Sequence, residues 1–320
     1  MVMFMNYQPF RSWLRKVDKG MIKSMANGQS KKSRKGNTFM VIGANGYIGW
    51  ALICQLAYKF SGCHIIAIDK DAGYKNSMTK HSILHDKLEK LSEYFKFTYD
   101  YFVINMANEL DCESALRQDN PDFVINLADG DKQYNPVLKN LLKYNKKAHL
   151  IISTGYKSKR RVEKDYPITD FKTANVVGTC NWITLIDPVL ATNNDPKKWI
   201  NRLISDCVFS KKVVIDDRYI PMISLEDITR AVVKIIRKGQ TSKYERYFAH
   251  DKIISSDKLS MIISSTLEEL GYPCEIVVRP TKNGIAKLKD KKRFVKLIDK
   301  HRPPVEYMIS YSCKNFLDTR

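Results

Sequence analysis

From residue 38 onward the apolar positions fall into short continuous blocks, separated by stretches in which they recur every three or four residues. The blocks are Phe39–Ile42, His64–Ile68, Phe102–Ile104, Phe123–Leu127, Leu150–Ser153 and Thr184–Ile186. Short unbroken apolar runs are the mark of strands buried on both faces. Between them Ile48–Phe60, a short Ser114–Arg117 and Pro136–Tyr144 carry helical spacing. Alternation of this kind predicts a parallel sheet with helices on both sides, and right-handed crossovers make it doubly wound. Two later helices have readable ends. Ser224 precedes Leu225–Lys238, with Asp227 three residues on as in a capping box and Gly239 as the stop. Ser256 precedes Lys258–Leu270, which Gly271 ends. Past Arg279 the chain is lysine-rich and shows no clear final helix.

The first segment is different. Phe10, Trp13, Leu14, Val17 and Met21 have helical spacing, and Arg11, Arg15, Lys16 and Lys19 fall largely on other faces. This fits a surface-binding amphipathic helix, an organelle-targeting segment or a helix packed on the body. Residues 27–36 then read as a flexible basic linker. Charge sharpens the division. The formal net charge of +20 sits at the ends: residues 1–38 hold nine Lys/Arg against Asp18 alone, and residues 281–320 hold eleven against four acids. Such ends suit an acidic protein, RNA or an anionic membrane surface. Composition is otherwise that of a globular protein, 44% hydrophobic, with no apolar run near eighteen residues. The seven cysteines include no Cys-x-x-Cys pair, which argues against a zinc site or disulfide framework and for a reducing compartment. No metal site is expected. The cytoplasm is the expected location, with a mitochondrion or other organelle as the alternative.

The chemistry lies at Thr38–Gly49, where a strand runs straight into Gly43, Gly46 and Gly49 and a helix follows. Gly43 lets the chain turn off the strand, Gly46 lets backbone approach a pyrophosphate, and Gly49 lets the helix lie close to the sheet. The helix start offers free N–H groups to phosphate oxygens. The next strand ends at Asp69, whose carboxylate suits the adenosine ribose hydroxyls and repels a 2′-phosphate. That favours NAD over NADP, although neighbouring Lys70 blunts the preference.

This fingerprint resembles that of the extended short-chain dehydrogenases, the NAD-dependent epimerase/dehydratase type. Further segments are similar in the same order: Asp122–Ala128, Ile223–Ala231, and Tyr247–His250 ahead of the Ser256 helix. The resemblance covers roughly residues 38–280. It implies a Rossmann-type α/β fold, a doubly wound parallel sheet with a smaller C-terminal substrate lobe. The expected divisions are 1–37, a basic extension and linker; 38–205, the dinucleotide domain; and 206–320, a mixed lobe with a basic tail, partly interleaved with the sheet. It also implies an NAD site of Gly43, Asn45, Gly46, Tyr47, Ile48, Gly49, Asp69, Lys70, Asn108, Leu127 and Ala128, with Asn108 where the family usually places an adenine-contacting Asp.

The family's catalytic pair, Tyr-x-x-x-Lys on the helix after the fifth strand, is missing: no tyrosine of this sequence has a lysine four residues later. The alignment puts Lys172 at the lysine position, to touch the cofactor ribose, and Ile168 at the tyrosine position. The fifth strand ends Ser153-Thr154-Gly155, so Thr154 is the candidate hydroxyl for orienting a substrate. Tyr166, if its loop differs, and Tyr156, directly after the strand, are the candidate proton carriers. Two functions follow. One is an NAD-dependent oxidoreductase of a nucleotide sugar or related hydroxyl compound with atypical catalytic residues. The other is an inactive NAD-binding subunit of a larger assembly, RNA-containing or respiratory. Nothing resembles a nucleic-acid recognition motif.

Overall fold

A computed structural model describes residues 36–70, 83–128, 131–155, 163, 165–178, 199–239, 243–280, 292–298 and 304–318. Residues 1–35 of the basic extension, the Thr184–Ile186 block and Tyr156 lie outside them. The first half alternates as the apolar pattern requires: β1 (Thr38–Ile42), α1 (Tyr47–Lys59), β2 (Cys63–Asp69), α2 (Ile83–Tyr94), β3 (Phe97–Val103), α3 (Glu109–Asp119), β4 (Phe123–Asn126), α4 (Asp131–Tyr144), β5 (His149–Gly155), β6 (Ile168–Thr173) and β7 (Asn175–Val177). The second half holds α5 (Trp199–Ser210), β8 (Lys212–Asp216), β9 (Tyr219–Ser224), α6 (Leu225–Lys238), β10 (Glu245–Ala249), β11 (Lys252–Ser255), α7 (Ser256–Glu269), β12 (Glu275–Arg279), α8 (Lys292–Val295) and α9 (Val305–Asp318).

Seven strands form one parallel sheet in the order β3-β2-β1-β4-β5-β6-β10. Alternate side chains of each strand feed two cores. Phe39, Val41, Ile65, Ile125 and Ile151 pack with α1 and α6 on one face. Met40, Ile42, Ile66, Val124 and Ile152 pack with α3 and α4 on the other. Both faces of the central strands are therefore dry, which is why their sequences run apolar without alternation. The order reverses between β1 and β4, so a crevice opens at the carboxyl ends of these strands. At Ala174 the chain leaves the main sheet. β7 joins β9 and β11 in a second small sheet, while β8 pairs with β12. These surround a third core with α5, α7 and α9. β10 returns from that half to the edge of the main sheet, pairing with β6.

Helix ends follow local chemistry. Ser224 caps α6, accepting from the Asp227 N–H at 3.0 Å. α7 departs from expectation: Ser255 caps it, accepting from the Lys258 N–H at 3.2 Å, while buried Ser256 donates to the Asp216 carbonyl. α3 runs well beyond the expected Ser114–Arg117. Four of the described helices went unanticipated: α2, α5, the short α8 and α9. α2 buries Leu84, Leu88 and Leu91, α5 buries Ile200, Leu203, Ile204 and Cys207, and α9 buries Val305, Met308, Ile309 and Cys313. These stripes have helical spacing but are diluted by polar residues. No helix among the described residues is long and apolar enough to cross a membrane.

Candidate dinucleotide cradle and adjoining cleft

β1 ends at Ile42, and Gly43 takes φ +84°, a region L side chains rarely enter. A Cβ at Gly43 would stand 3.2 Å from the Ala128 nitrogen, and one at Gly49 only 1.9 Å from the Gly43 carbonyl oxygen. Both positions are closed to any other residue. Gly46 differs. A Cβ there would meet only the Gly43 oxygen, at 3.1 Å, and would otherwise project into open space. Gly46 is also the N-cap of α1, with no side chain to cap the helix and no acidic residue in its first turn. Bare backbone and an uncapped helix start thus face the same opening, as a phosphate cradle requires.

The turn is held from beneath. The Gly43 and Ala44 N–H groups donate to the Ile68 carbonyl at 2.8 and 3.0 Å. The Asn45 N–H donates to Asp69 Oδ2 at 2.9 Å. Asp69 therefore braces the glycine turn, an arrangement the sequence did not disclose, while standing half-buried at the tip of β2 beside exposed Lys70. Across the crevice, Leu127 donates to the Ile42 carbonyl, and Ala128 to the Asn126 side chain.

Two expected contacts are placed differently. The Tyr47 ring is buried and its hydroxyl donates to the Gly178 carbonyl. Gly178 in turn donates its N–H to Ser312 Oγ at 2.9 Å and lies against Met308. Tyr47 so ties the start of α1 to α9, and only its backbone belongs to the cradle. Asn108 caps α3, its Oδ1 accepting from the Leu110 N–H at 3.0 Å. An oxygen engaged in a cap is less available to adenine, although the residue is exposed at the crevice rim after β3.

The catalytic assignments need correction. Ile168 and Lys172 lie in β6, not on a helix. Four residues span about 13 Å along a strand, against about 6 Å on a helical face, so the pair cannot reproduce the family's spacing. Only twelve residues connect Gly155 to Ile168, close to the minimum for a parallel crossover. The described part of that connection, 163 and 165–167, is not helical. Lys172 is 1% exposed and pairs with Asp170 Oδ2 at 3.2 Å. Tyr166 is also displaced. It precedes β6, which runs parallel to β5, so it sits at the opposite edge of the sheet, about 20 Å from the level of Lys172. Its hydroxyl donates to the Asn145 carbonyl at 3.0 Å, and burial pushes its phenol well above the ordinary range. It cannot carry protons for the crevice.

A small cleft of about 160 Å³ adjoins the cradle. Ile48 and Leu127 form its cradle side; Ser153, Thr154 and Gly155 end β5; Thr173 ends β6; Asn175 and Val176 come from β7, Trp199 and Ile200 from α5. Of the expected residues, the structure thus brings Thr154, Ile48 and Leu127 together. Asp170 was missed by sequence reasoning. This fully buried carboxylate accepts from Thr154 Oγ1 at 2.9 Å on Oδ1, and on Oδ2 from Tyr244 at 2.9 Å and Arg246 at 3.4 Å. Ser153, Thr173 and Asn175 were also not singled out; serine, threonine and asparagine at strand ends are too common to signal a site.

The strand order, the crossovers and the glycine turn define a doubly wound α/β protein of the Rossmann type. Among solved structures this fold is shared with UDP-glucose 4-epimerase from Stenotrophomonas maltophila, crystallised with bound NAD and formylated UDP-arabinopyranose: TM-score 0.64, 11% identity, 89% of this chain and 98% of that one covered. The Bifidobacterium longum UDP-glucose 4-epimerase in complex with NAD+ and UDP matches at TM-score 0.64 and 15% identity, over 89% and 99%. The dTDP-glucose 4,6-dehydratase of Bacillus anthracis, in complex with NAD, matches at 0.62 and 12%, over 89% and 97%. At these identities the likeness is one of fold. No family model and no curated protein matches the sequence.

Proposed function

We propose that the chain binds NAD and is an epimerase/dehydratase-like oxidoreductase acting on a nucleotide sugar or related hydroxyl compound. The observation that carries this reading is the cradle: glycines that a Cβ would block, an uncapped α1 behind open space, and a carboxylate at the tip of the next strand. The residues fit the group. The backbone of Gly43, Asn45 and Gly46 and the first N–H groups of α1 would hold the pyrophosphate. Asp69 would take the ribose hydroxyls and disfavour NADP. The Asn108 amide would lie toward adenine, and Leu127 and Ala128 would wall the cofactor. The bound NAD of the structures sharing this fold supports the same choice.

When bound, NAD supplies a hydride-accepting ring. The chain's own residues do the rest: Ile48 and Leu127 exclude water, Ser153 and Thr154 orient a ligand hydroxyl, and Tyr156, next after Gly155, moves its proton. Calorimetric titration with NAD and NADP, followed by isotope exchange between labelled NADH and a panel of UDP- and dTDP-sugars, tests the reading. NAD binding with exchange that Tyr156→Phe abolishes is the expected result. Absence of NAD binding refutes it.

A second reading, an NAD-binding subunit without catalysis, is favoured by the short β5–β6 connection and the missing Tyr-x-x-x-Lys pair. The basic segments 1–38 and 281–320 would then engage an acidic protein, RNA or an anionic membrane. NAD binding with no exchange on any sugar selects this alternative.

A further inference from the structure

β8 and β12 form a sheet of two parallel strands, paired with no other strand among the described residues. Such a ribbon has open edges, and an open edge is a template for a further strand. The ladder decides which backbone groups face outward. The Glu275 N–H donates to the Lys211 carbonyl at 2.8 Å, and the Asp217 N–H to the Arg279 carbonyl at 2.8 Å. Residues 211, 213, 215 and 217 therefore turn their backbone groups toward β12. Those of Lys212, Val214 and Asp216 turn to the open edge, since successive residues of a strand alternate in direction. The Asp216 carbonyl takes one bond there, from Ser256 Oγ at 2.7 Å, and keeps a second lone pair.

The side chains on this edge are patterned too. Lys212, Val214 and Asp216 share the outer face of β8, all exposed, Val214 at 47%. Val213 and Ile215 pack inward on the third core. In register beside the outer three stand Glu275, Val277 and Arg279 of β12, with Glu275 ion-paired to Lys212 at 2.9 Å. Read backward, Lys-x-Val-x-Asp exchanges its charges and keeps its centre. An antiparallel second β8, with valine opposite valine, therefore sets Lys212 against Asp216 at both ends. A parallel one would set lysine against lysine. In the antiparallel case each outer row across four strands runs Glu275, Lys212, Asp216, Arg279, alternating in sign, and the central row is all valine. The other open edge, along β12, has its central Val277 half-buried, so the exposed valine selects β8.

We propose that the open edge of β8 is a self-association surface: two copies of the chain pair antiparallel about a two-fold axis at Val214, giving a four-stranded sheet β12-β8-β8-β12. The axis makes the contact isologous, so it closes at a dimer and does not run on as a filament. Val214 exchanges both backbone bonds with its counterpart, and the flanking charged pairs face each other at cross-strand distance. Phe209 and Tyr219, exposed just beyond the two ends of β8, add apolar surface beside the ladder. Strands of five residues bury well under the roughly 800 Å² per partner of a standard interface, so the dimer forms and parts with concentration.

Sedimentation velocity of the full chain, over a concentration series up to its solubility limit, reads the equilibrium directly. A monomer–dimer equilibrium is the expected result. Val214→Pro removes an outward N–H that the β8–β12 ladder does not use, as an edge strand allows. It should leave a monomer whose melting temperature matches that of the dilute parent. Lys212→Asp and Asp216→Lys each set like charges opposite each other at both ends of the axis, and each should weaken the dimer about tenfold. Mixing these two variants should restore it as a heterodimer, because opposite charges then meet at both ends. If Val214→Pro does not fold, the charge variants still decide. A chain that stays monomeric throughout the series, a dimer that the variants leave intact, or charge variants that fail to rescue each other overturns the proposal. Neither strand belongs to the cradle and no cofactor enters the assay, so its outcome is independent of the NAD titration.

Discussion

Gly46→Asp separates binding from folding at a single position. The Gly46 backbone is extended, φ −71° and ψ 164°, as any residue allows. Its Cβ would meet one atom, the Gly43 oxygen at 3.1 Å, which demands a shift of a few tenths of an ångström. Aspartate is also among the best N-cap residues, worth a few tenths of a kcal/mol over glycine. Those small terms oppose each other, so the melting temperature should stay within about 2 °C of the parent, on a scale of about 2–4 °C per kcal/mol. Binding should collapse. A carboxylate about 5 Å from a pyrophosphate charge repels it by about 1–3 kcal/mol at an effective dielectric of roughly 20–60. The side chain would also fill the opening and consume the α1 N–H groups that phosphate needs. Together these predict at least a hundredfold loss of NAD affinity, or about 2.7 kcal/mol. Gly49→Ala should do the reverse in kind, because its methyl would sit 1.9 Å from the Gly43 oxygen. Overpacking of that sort costs about 1–3 kcal/mol or more. Paired calorimetry and thermal unfolding of both variants decide the matter. Unchanged NAD affinity in Gly46→Asp, at unchanged stability, would refute the cradle.

Other consequences are as accessible. Asp69→Ser should improve NADP affinity relative to NAD by about tenfold, since the repelling carboxylate goes, and a fluorescence titration with both cofactors reads it. Tyr166→Phe should destabilise the fold by about 1 kcal/mol through the lost bond to Asn145 without changing NAD affinity, as chemical denaturation and titration would show. His149 is fully buried, bonded to Thr169, and burial holds its pKa down to about 4 despite the opposing pull of Glu245. Its unfolded value is near 6.5, so its neutral form favours the fold above pH 6.5. That contribution, about 3 kcal/mol, drains away as the pH falls from 6.5 toward 4. Denaturation of His149→Phe should show a shallower loss over that window.

The cradle was legible because its constraints are backbone constraints. A buried strand, glycines three apart and a carboxylate at the next strand's end leave few alternatives, and Gly43 and Gly49 prove to be positions where a Cβ cannot stand. The apolar blocks likewise found β1, β2, β4 and β5, since dryness on both faces forbids polar residues there; of the half-exposed edge strand β3 they caught only Phe102 and Val103. β6 escaped for the converse reason. Thr169, Asp170, Lys172 and Thr173 read as surface, yet all are buried, and the strand can hold them only because Thr154, Tyr244 and Arg246 satisfy Asp170 from neighbouring strands. No local pattern announces partners 16 to 76 residues away. The alignment that carried Lys172 onto a helix assumed a connection of ordinary length between β5 and β6. Ser153, Thr173 and Asn175 around the cleft were missed because they come from three different strands, and only the assembled sheets bring those strand ends together.

Gly178 has a temporal consequence. It joins α1 to α9, holding Tyr47 across 131 positions and being held by Ser312 across a further 134. Synthesis runs from the amino end, and contacts so distant in sequence close late. A nascent chain that has emerged through β6 already owns every glycine of the cradle, but the clamp on Tyr47 waits until Met308 and Ser312 of α9 have been made. A chain cut short ahead of α9 therefore lacks the brace between α1 and α9.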